Sequence, residues 1–203
     1  YSWGSYQSHP YVLLNYRGTL DNVFTLAHEM GHSIHSYYSK KNQPFAYAGY
    51  KIFVAEVAST CNEALLIHDL LEKTENKNER MILINHFLDK FKGTIYRQTM
   101  FAEFEYNMHR KAEKGEPLTA QEISRTYHEL NKLYFGPDMV SDEAIGLEWT
   151  RIPHFYTPFY VYQYATGFSA AIALSNRILK EGSAAVEQYK KFLKGGCSLD
   201  PID

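Results

Sequence analysis

The stretch Leu26-Ala27-His28-Glu29-Met30-Gly31-His32-Ser33-Ile34-His35 constrains this chain more than any other. Residues four apart on an α-helix share a face, so a helix here sets His28 beside His32. Two imidazoles at that spacing can grip one metal ion, with Glu29 next to it. An ion so held acidifies water, and a neighbouring carboxylate can take the proton. The surrounding sequence fits a helix. Phe24, Ala27, Ile34 and Tyr38 recur at roughly helical steps from about Asn22 to Tyr38, with Asp21 as the expected N-cap. Gly31 inside it costs up to about 1 kcal/mol relative to Ala, which points to a close neighbour.

Two histidines need a further ligand. One zinc-peptidase pattern places Gly seven and His ten residues after the first His; here His35 and Tyr38 stand at those positions, so that pattern fails. A carboxylate from a later helix is the remaining option. The segment from Ile52 to Ile67 is mostly apolar but carries Glu56 and Glu63 two turns apart. A carboxylate there is costly to bury unless it is paired or bound to metal. We assign Glu56 as the ligand. Glu63 is read either as the group that orients a ligating His or as a solvated helix position. His35, two turns after His28, is a competing ligand or a pocket group.

The motifs His28-Glu29-Met30-Gly31-His32-Ser33-Ile34-His35 and Phe53-Val54-Ala55-Glu56-Val57-Ala58-Ser59 resemble those of the thimet oligopeptidase family, on its oligoendopeptidase F branch. Similarity continues in Leu147 to Tyr156 and in Phe159 to Gly167, so it covers nearly the whole chain. The resemblance implies a zinc endopeptidase that cuts short peptides inside a closed, mostly helical channel, with one zinc ion. It also implies that a His and Tyr residues of the late segment reach over the metal as oxyanion donors. Carried over by position, these are His154, Tyr160 and Tyr164, with Tyr156 as the alternative to Tyr160. Members of that family are several times longer. The expectation is therefore one catalytic core domain, residues 1–203, cut at both ends, whose missing N-terminal helices would form the opposite channel wall.

The formal charge of -2 argues against a nucleic-acid footprint. The 17 Tyr and 12 Phe suit a peptide-holding cavity, although core packing also uses them. Cys61 and Cys197 make no disulfide framework; Cys61 reads as a small buried residue, and a reducing cytoplasm fits. Neither a signal peptide nor a long apolar span is visible.

The expected fold is mainly α, a zincin-like helical core with a small β element near the N-terminus. Tyr11 to Tyr16 is β-rich, either an ordinary hairpin or an edge that a peptide could extend. A second helix spans Ile52 to about Lys73, after a loop with Pro44 and Gly49. Asn76 to Glu79 reads as a polar break. A long helix follows from Arg80 to about Lys114, bent at Gly93, its charges forming a solvated face. Thr119-Ala120-Gln121-Glu122 is a capping box that opens a helix to Tyr134. Residues 138–158 read as irregular with short helical pieces. Two helices, Phe159 to Lys180 and Ser183 to Lys194, meet at Gly182 and close the chain.

The expected mechanism uses zinc held by His28, His32 and Glu56, Glu29 as proton acceptor and donor, and His154 with a Tyr hydroxyl on the oxyanion. The alternatives are a zinc carboxypeptidase on a similar helix pair and an inert metal- or peptide-binding fragment.

Overall fold

The computed structural model describes residues 1–201. The chain divides into two compact units. The first contains Tyr1–Phe87 and the chain from Thr166 onward; the second is Leu88–Ala165.

The first unit opens with an antiparallel hairpin, β1 (Ser2–Trp3) and β2 (Tyr11–Val12), in the register Ser2 to Val12 and Trp3 to Tyr11. Of the β-rich run that continues to Tyr16, Tyr11–Val12 forms the strand, and just beyond it the Leu13 N–H donates to the Tyr1 carbonyl at 2.9 Å. The hairpin lies on α1 (Leu20–Asn42), where Ser2 Oγ and Ser33 Oγ are 2.8 Å apart. Thr19, not Asp21, caps α1: its hydroxyl accepts the Asn22 N–H at 3.3 Å. Asp21 lies in the first turn, where its charge favours the helix N-terminus instead.

α2 spans Ile52–Lys73 and packs along α1. Gly31 is the reason the two helices meet so closely. A Cβ there would sit 2.6 Å from Ser59 Cα and 2.8 Å from the Ala58 carbonyl oxygen. The close neighbour is thus the backbone of α2. Farther along, Phe24, Ile67 and Leu83 form a buried cluster. Leu83 belongs to α3 (Lys77–Phe91), which starts earlier than Arg80 because Asn76 Oδ1 accepts the N–H groups of Asn78 and Glu79. The polar break is therefore a helix cap.

The second unit is built on α4 (Arg97–Glu113) and α5 (Ala120–Phe135). Lys92–Tyr96 forms a π-helical turn, so the bend expected near Gly93 is a local rewinding of the helix. Thr119 caps α5 through the Glu122 N–H, as the capping box predicts. Residues Glu143–Arg151 and Pro153–Tyr156 are 3₁₀ turns. Met100, Phe101, Phe104, Tyr127, Leu130, Ile152 and Val161 form the core. Glu148 is buried among them and accepts bonds from Tyr127 Oη (2.6 Å), Arg97 (2.5 Å) and Arg151. Charges in this region are not all on a solvated face: Glu105 on α4 is 5% exposed.

α6 (Tyr162–Glu181) starts three residues later than Phe159, because Phe159 has a left-handed backbone with φ 56°. α7 (Ser183–Lys194) returns to the first unit's α1, where Gln43 Nε2 donates to the Lys194 carbonyl at 2.8 Å. Both cysteines are free thiols; burial pushes the Cys61 thiol up to about 11, which leaves it inert. No helix of the described residues is long and apolar enough to cross a membrane.

Candidate metal centre

α1 and α2 each deliver one side of a three-residue cluster. His28 and His32 stand one turn apart on α1, their rings 4.8 Å apart and nearly perpendicular. Glu56 comes from the first turns of α2. Its Oε2 lies 3.3 Å from His28 Nε2 and 3.8 Å from His32 Nε2. The ligand atoms of these three residues all lie within 4.8 Å of one another. Among the described residues no other group of His, Cys, Asp and Glu side chains converges in this way.

The cluster is supported from behind. Glu63, two turns beyond Glu56, has its Oε1 2.6 Å from His28 Nδ1. Of the two readings open for Glu63, the geometry is that of an orienting carboxylate; its side chain is 12% exposed. Ser59 donates its hydroxyl to Glu56 Oε2 at 3.0 Å. Asn62 Nδ2 donates to the Ala27 carbonyl at 2.5 Å, tying the helices together beside His28. Sequence reasoning passed over Ser59 and Asn62. The available signal was their spacing, one turn from Glu56 and one residue from Glu63. On the other side of α2, a Cβ at Gly167 of α6 would lie 3.3 Å from Glu56 Cβ, so α6 packs directly on α2 beside Glu56.

Burial opposes charge on His28, but hydrogen bonds and attraction from Glu56 and Glu63 outweigh it and raise the pKa from 6.5 to about 9. Burial lowers the pKa of His32, opposed by Glu56 and assisted by His28. For Glu56, burial works upward, yet the contacts with His28, His32 and Ser59 hold the carboxyl below its ordinary value. The metal-free cluster thus holds a proton on His28, between two carboxylates. Glu29 follows His28 on α1, with its side chain 13% exposed.

His35 does not join the cluster. It is 1% exposed and stacks on Tyr50, ring centroids 3.7 Å apart, with Phe192 at 5.3 Å. It is a packing residue of the first unit.

In the second unit, His154, Tyr160 and Tyr164 lie together. Their ring centroids are 5.6 to 6.0 Å apart, and Tyr164 Oη is 3.4 Å from His154 Nε2. Tyr156 is 89% exposed.

The whole sequence, residues 1–203, matches the model of peptidase family M3. The chain belongs to that family. It is 58% identical to oligopeptidase PepF of Bacillus subtilis, over all of this chain and 30% of that protein. It is 47% identical to the chromosomal oligoendopeptidase F of Lactococcus lactis subsp. cremoris, over all of this chain and 34% of that protein. The crystal structure of oligoendopeptidase-F from Enterococcus faecium superposes with a TM-score of 0.76 at 50% identity, covering 87% of this chain and 32% of the other. A Chlamydophila abortus protein of known structure gives a TM-score of 0.89 at 49% identity, over all of this chain and 34% of its own. The chain spans about a third of the length of the curated relatives it matches.

Proposed function

We propose that this chain carries the metal centre of a zinc-dependent endopeptidase that hydrolyses short oligopeptides. The observation that carries the reading is the convergence of His28 Nε2, His32 Nε2 and Glu56 Oε2. A tetrahedral ion with bonds of roughly 2.0–2.2 Å sets its ligands about 3.3–3.6 Å apart, close to the 3.3 and 3.8 Å measured from Glu56 to the two rings. Two imidazoles and one carboxylate leave a coordination position open, the arrangement of catalytic rather than structural zinc sites. The membership in family M3 and the names of the relatives support peptide substrates.

When bound, zinc supplies Lewis acidity that brings the pKa of water toward neutrality. His28, His32 and Glu56 would hold the ion, and Glu63 fixes the His28 ring. Glu29 takes a proton from the attacking water and returns it to the leaving amine. His154 and Tyr164, with Tyr160 beside them, donate hydrogen bonds to the oxyanion. For these three the support is the family resemblance together with their mutual proximity. The reading places the enzyme in the cytoplasm, where both thiols stay reduced.

The test uses the whole, zinc-loaded enzyme and a peptide blocked at both ends. Glu29→Gln should keep stoichiometric zinc and lose turnover by several orders of magnitude. Internal cleavage of the blocked peptide by the unsubstituted enzyme supports an endopeptidase; hydrolysis by Glu29→Gln at an undiminished rate would falsify the role of Glu29.

A further inference from the structure

Among the described residues, Phe159 is the one position other than glycine with a positive φ, 56°. A bulky side chain avoids that region unless its surroundings enforce it. The surroundings here are specific. The Phe159 N–H donates to Glu105 Oε1 at 2.8 Å. Glu105 lies on α4 and is 5% exposed. One turn farther along α4, the His109 ring lies 4.8 Å from the Phe159 ring, inclined by 32°, with its Nε2 4.0 Å from Glu105 Oε1. Two residues beyond Phe159, Val161 is anchored in the core at 1% exposure.

A buried carboxyl group is costly unless it is hydrogen-bonded. Glu105 sits in the apolar register of α4, four residues after Phe101 and three before Met108. An acid there is poor packing material, so its retention requires a polar partner. The backbone of Phe159 is that partner. The turn it holds is flanked by His154 on one side and by Tyr160 and Tyr164 on the other, and α6 starts directly after it.

We propose that Glu105 is a positioning residue: by accepting the Phe159 N–H it fixes the left-handed turn that sets His154, Tyr160 and Tyr164 relative to one another. Its catalytic consequence rests on the reading of those three as oxyanion donors. What the turn requires is an acceptor at this place, not a charge. Glutamine, through its amide oxygen, supplies one; methionine, of similar length, does not.

The experiment compares Glu105→Gln, Glu105→Met and Tyr164→Phe in the whole zinc-loaded enzyme. It reads hydrogen exchange at the Phe159 amide, kcat and KM separately, and zinc content. In Glu105→Met the Phe159 amide should exchange at least about tenfold faster. Its kcat should fall about 10–100-fold, because donors displaced by about an ångström lose that much, while KM and zinc content stay within about twofold. Glu105→Gln should match the unsubstituted enzyme in every readout. Unchanged exchange in Glu105→Met overturns the proposal. So does a tenfold loss of protection in Glu105→Gln, which also decides the matter if Glu105→Met does not fold. Faster exchange with undiminished kcat in Glu105→Met, where Tyr164→Phe does lower kcat, overturns the positioning role alone. If kcat survives both substitutions, the oxyanion reading has failed and the catalytic consequence of the clamp falls with it.

Discussion

Glu63 Oε1 and His28 Nδ1 are 2.6 Å apart, and this contact leaves Nε2 of His28 to face Glu56. With Nδ1–H donating to Glu63, Nε2 is turned toward Glu56. Replacing Glu63 with Ala frees the ring to rotate and removes a carboxylate that makes the imidazole a better donor. We expect Glu63→Ala to weaken metal affinity about 10–100-fold, and Glu63→Gln to weaken it less, since an amide oxygen still accepts. Competition against a graded series of chelators measures this. An affinity change below about threefold in Glu63→Ala would make the contact incidental.

Gly31→Ala pits two effects against each other. Alanine favours a helix interior by about 1 kcal/mol. The new methyl carbon, however, would lie 2.6 Å from Ser59 Cα and 2.8 Å from the Ala58 carbonyl oxygen. Both are backbone atoms that cannot rotate aside, and overpacking costs about 1–3 kcal/mol. Strain should win, forcing α1 and α2 apart where His32 and Glu56 converge. Thermal unfolding should shift down and metal retention should weaken together. A higher melting temperature would contradict the packing account.

The helix pair and the convergence of His28, His32 and Glu56 were readable because two strong constraints coincide there: a four-residue spacing that only a helix makes useful, and an acid inside an apolar segment. The N-cap of α1 was misplaced by two residues because Thr19 and Asp21 are both good caps, and only the bond from Asn22 decides between them. The start of α6 was misplaced because helical propensity says nothing of the left-handed backbone at Phe159, which a residue 54 positions away enforces. Glu105 and Glu148 were hidden for the same reason. Each is buried by partners distant in sequence, and a lone charge among many exposed ones carries no local mark of that.

Glu148 links the second unit to pH. Burial raises its pKa, but the bonds from Tyr127 and Arg97 and the charges of Arg97 and Arg151 hold it below its ordinary value. A carboxyl with a depressed folded-state pKa stabilises the fold above its unfolded pKa, and that stability is lost as pH falls through the folded value. Glu148→Gln should therefore destabilise at neutral pH by about 2–4 kcal/mol, toward the lower end because Arg151 is solvent-exposed. It should also flatten the loss of stability below about pH 4. Denaturant unfolding across pH 3–7 measures both, and parallel curves for the two proteins would refute the linkage.

His35 gives a pH effect in a different window. Burial first, and then the charge of His32, push its pKa from 6.5 down to about 3, and its Nδ1 has no hydrogen-bond partner. The folded protein keeps this ring neutral while the unfolded chain takes up a proton below about pH 6.5. The unfolded state thus binds more protons between about pH 6.5 and 3, so stability falls as pH is lowered through that range, by up to about 1.4 kcal/mol per unit. His35→Phe retains an aromatic ring against Tyr50 and removes both the titration and the unsatisfied nitrogen. It should cost little at pH 7.5, where the extra ring volume offsets the relieved polar atom. At pH 5 it should be the more stable of the two proteins by about 1–2 kcal/mol. Equilibrium unfolding of both metal-free proteins at pH 7.5 and pH 5 decides the matter, because a stability difference that does not change with pH would mean His35 is not the group that couples this core to acid.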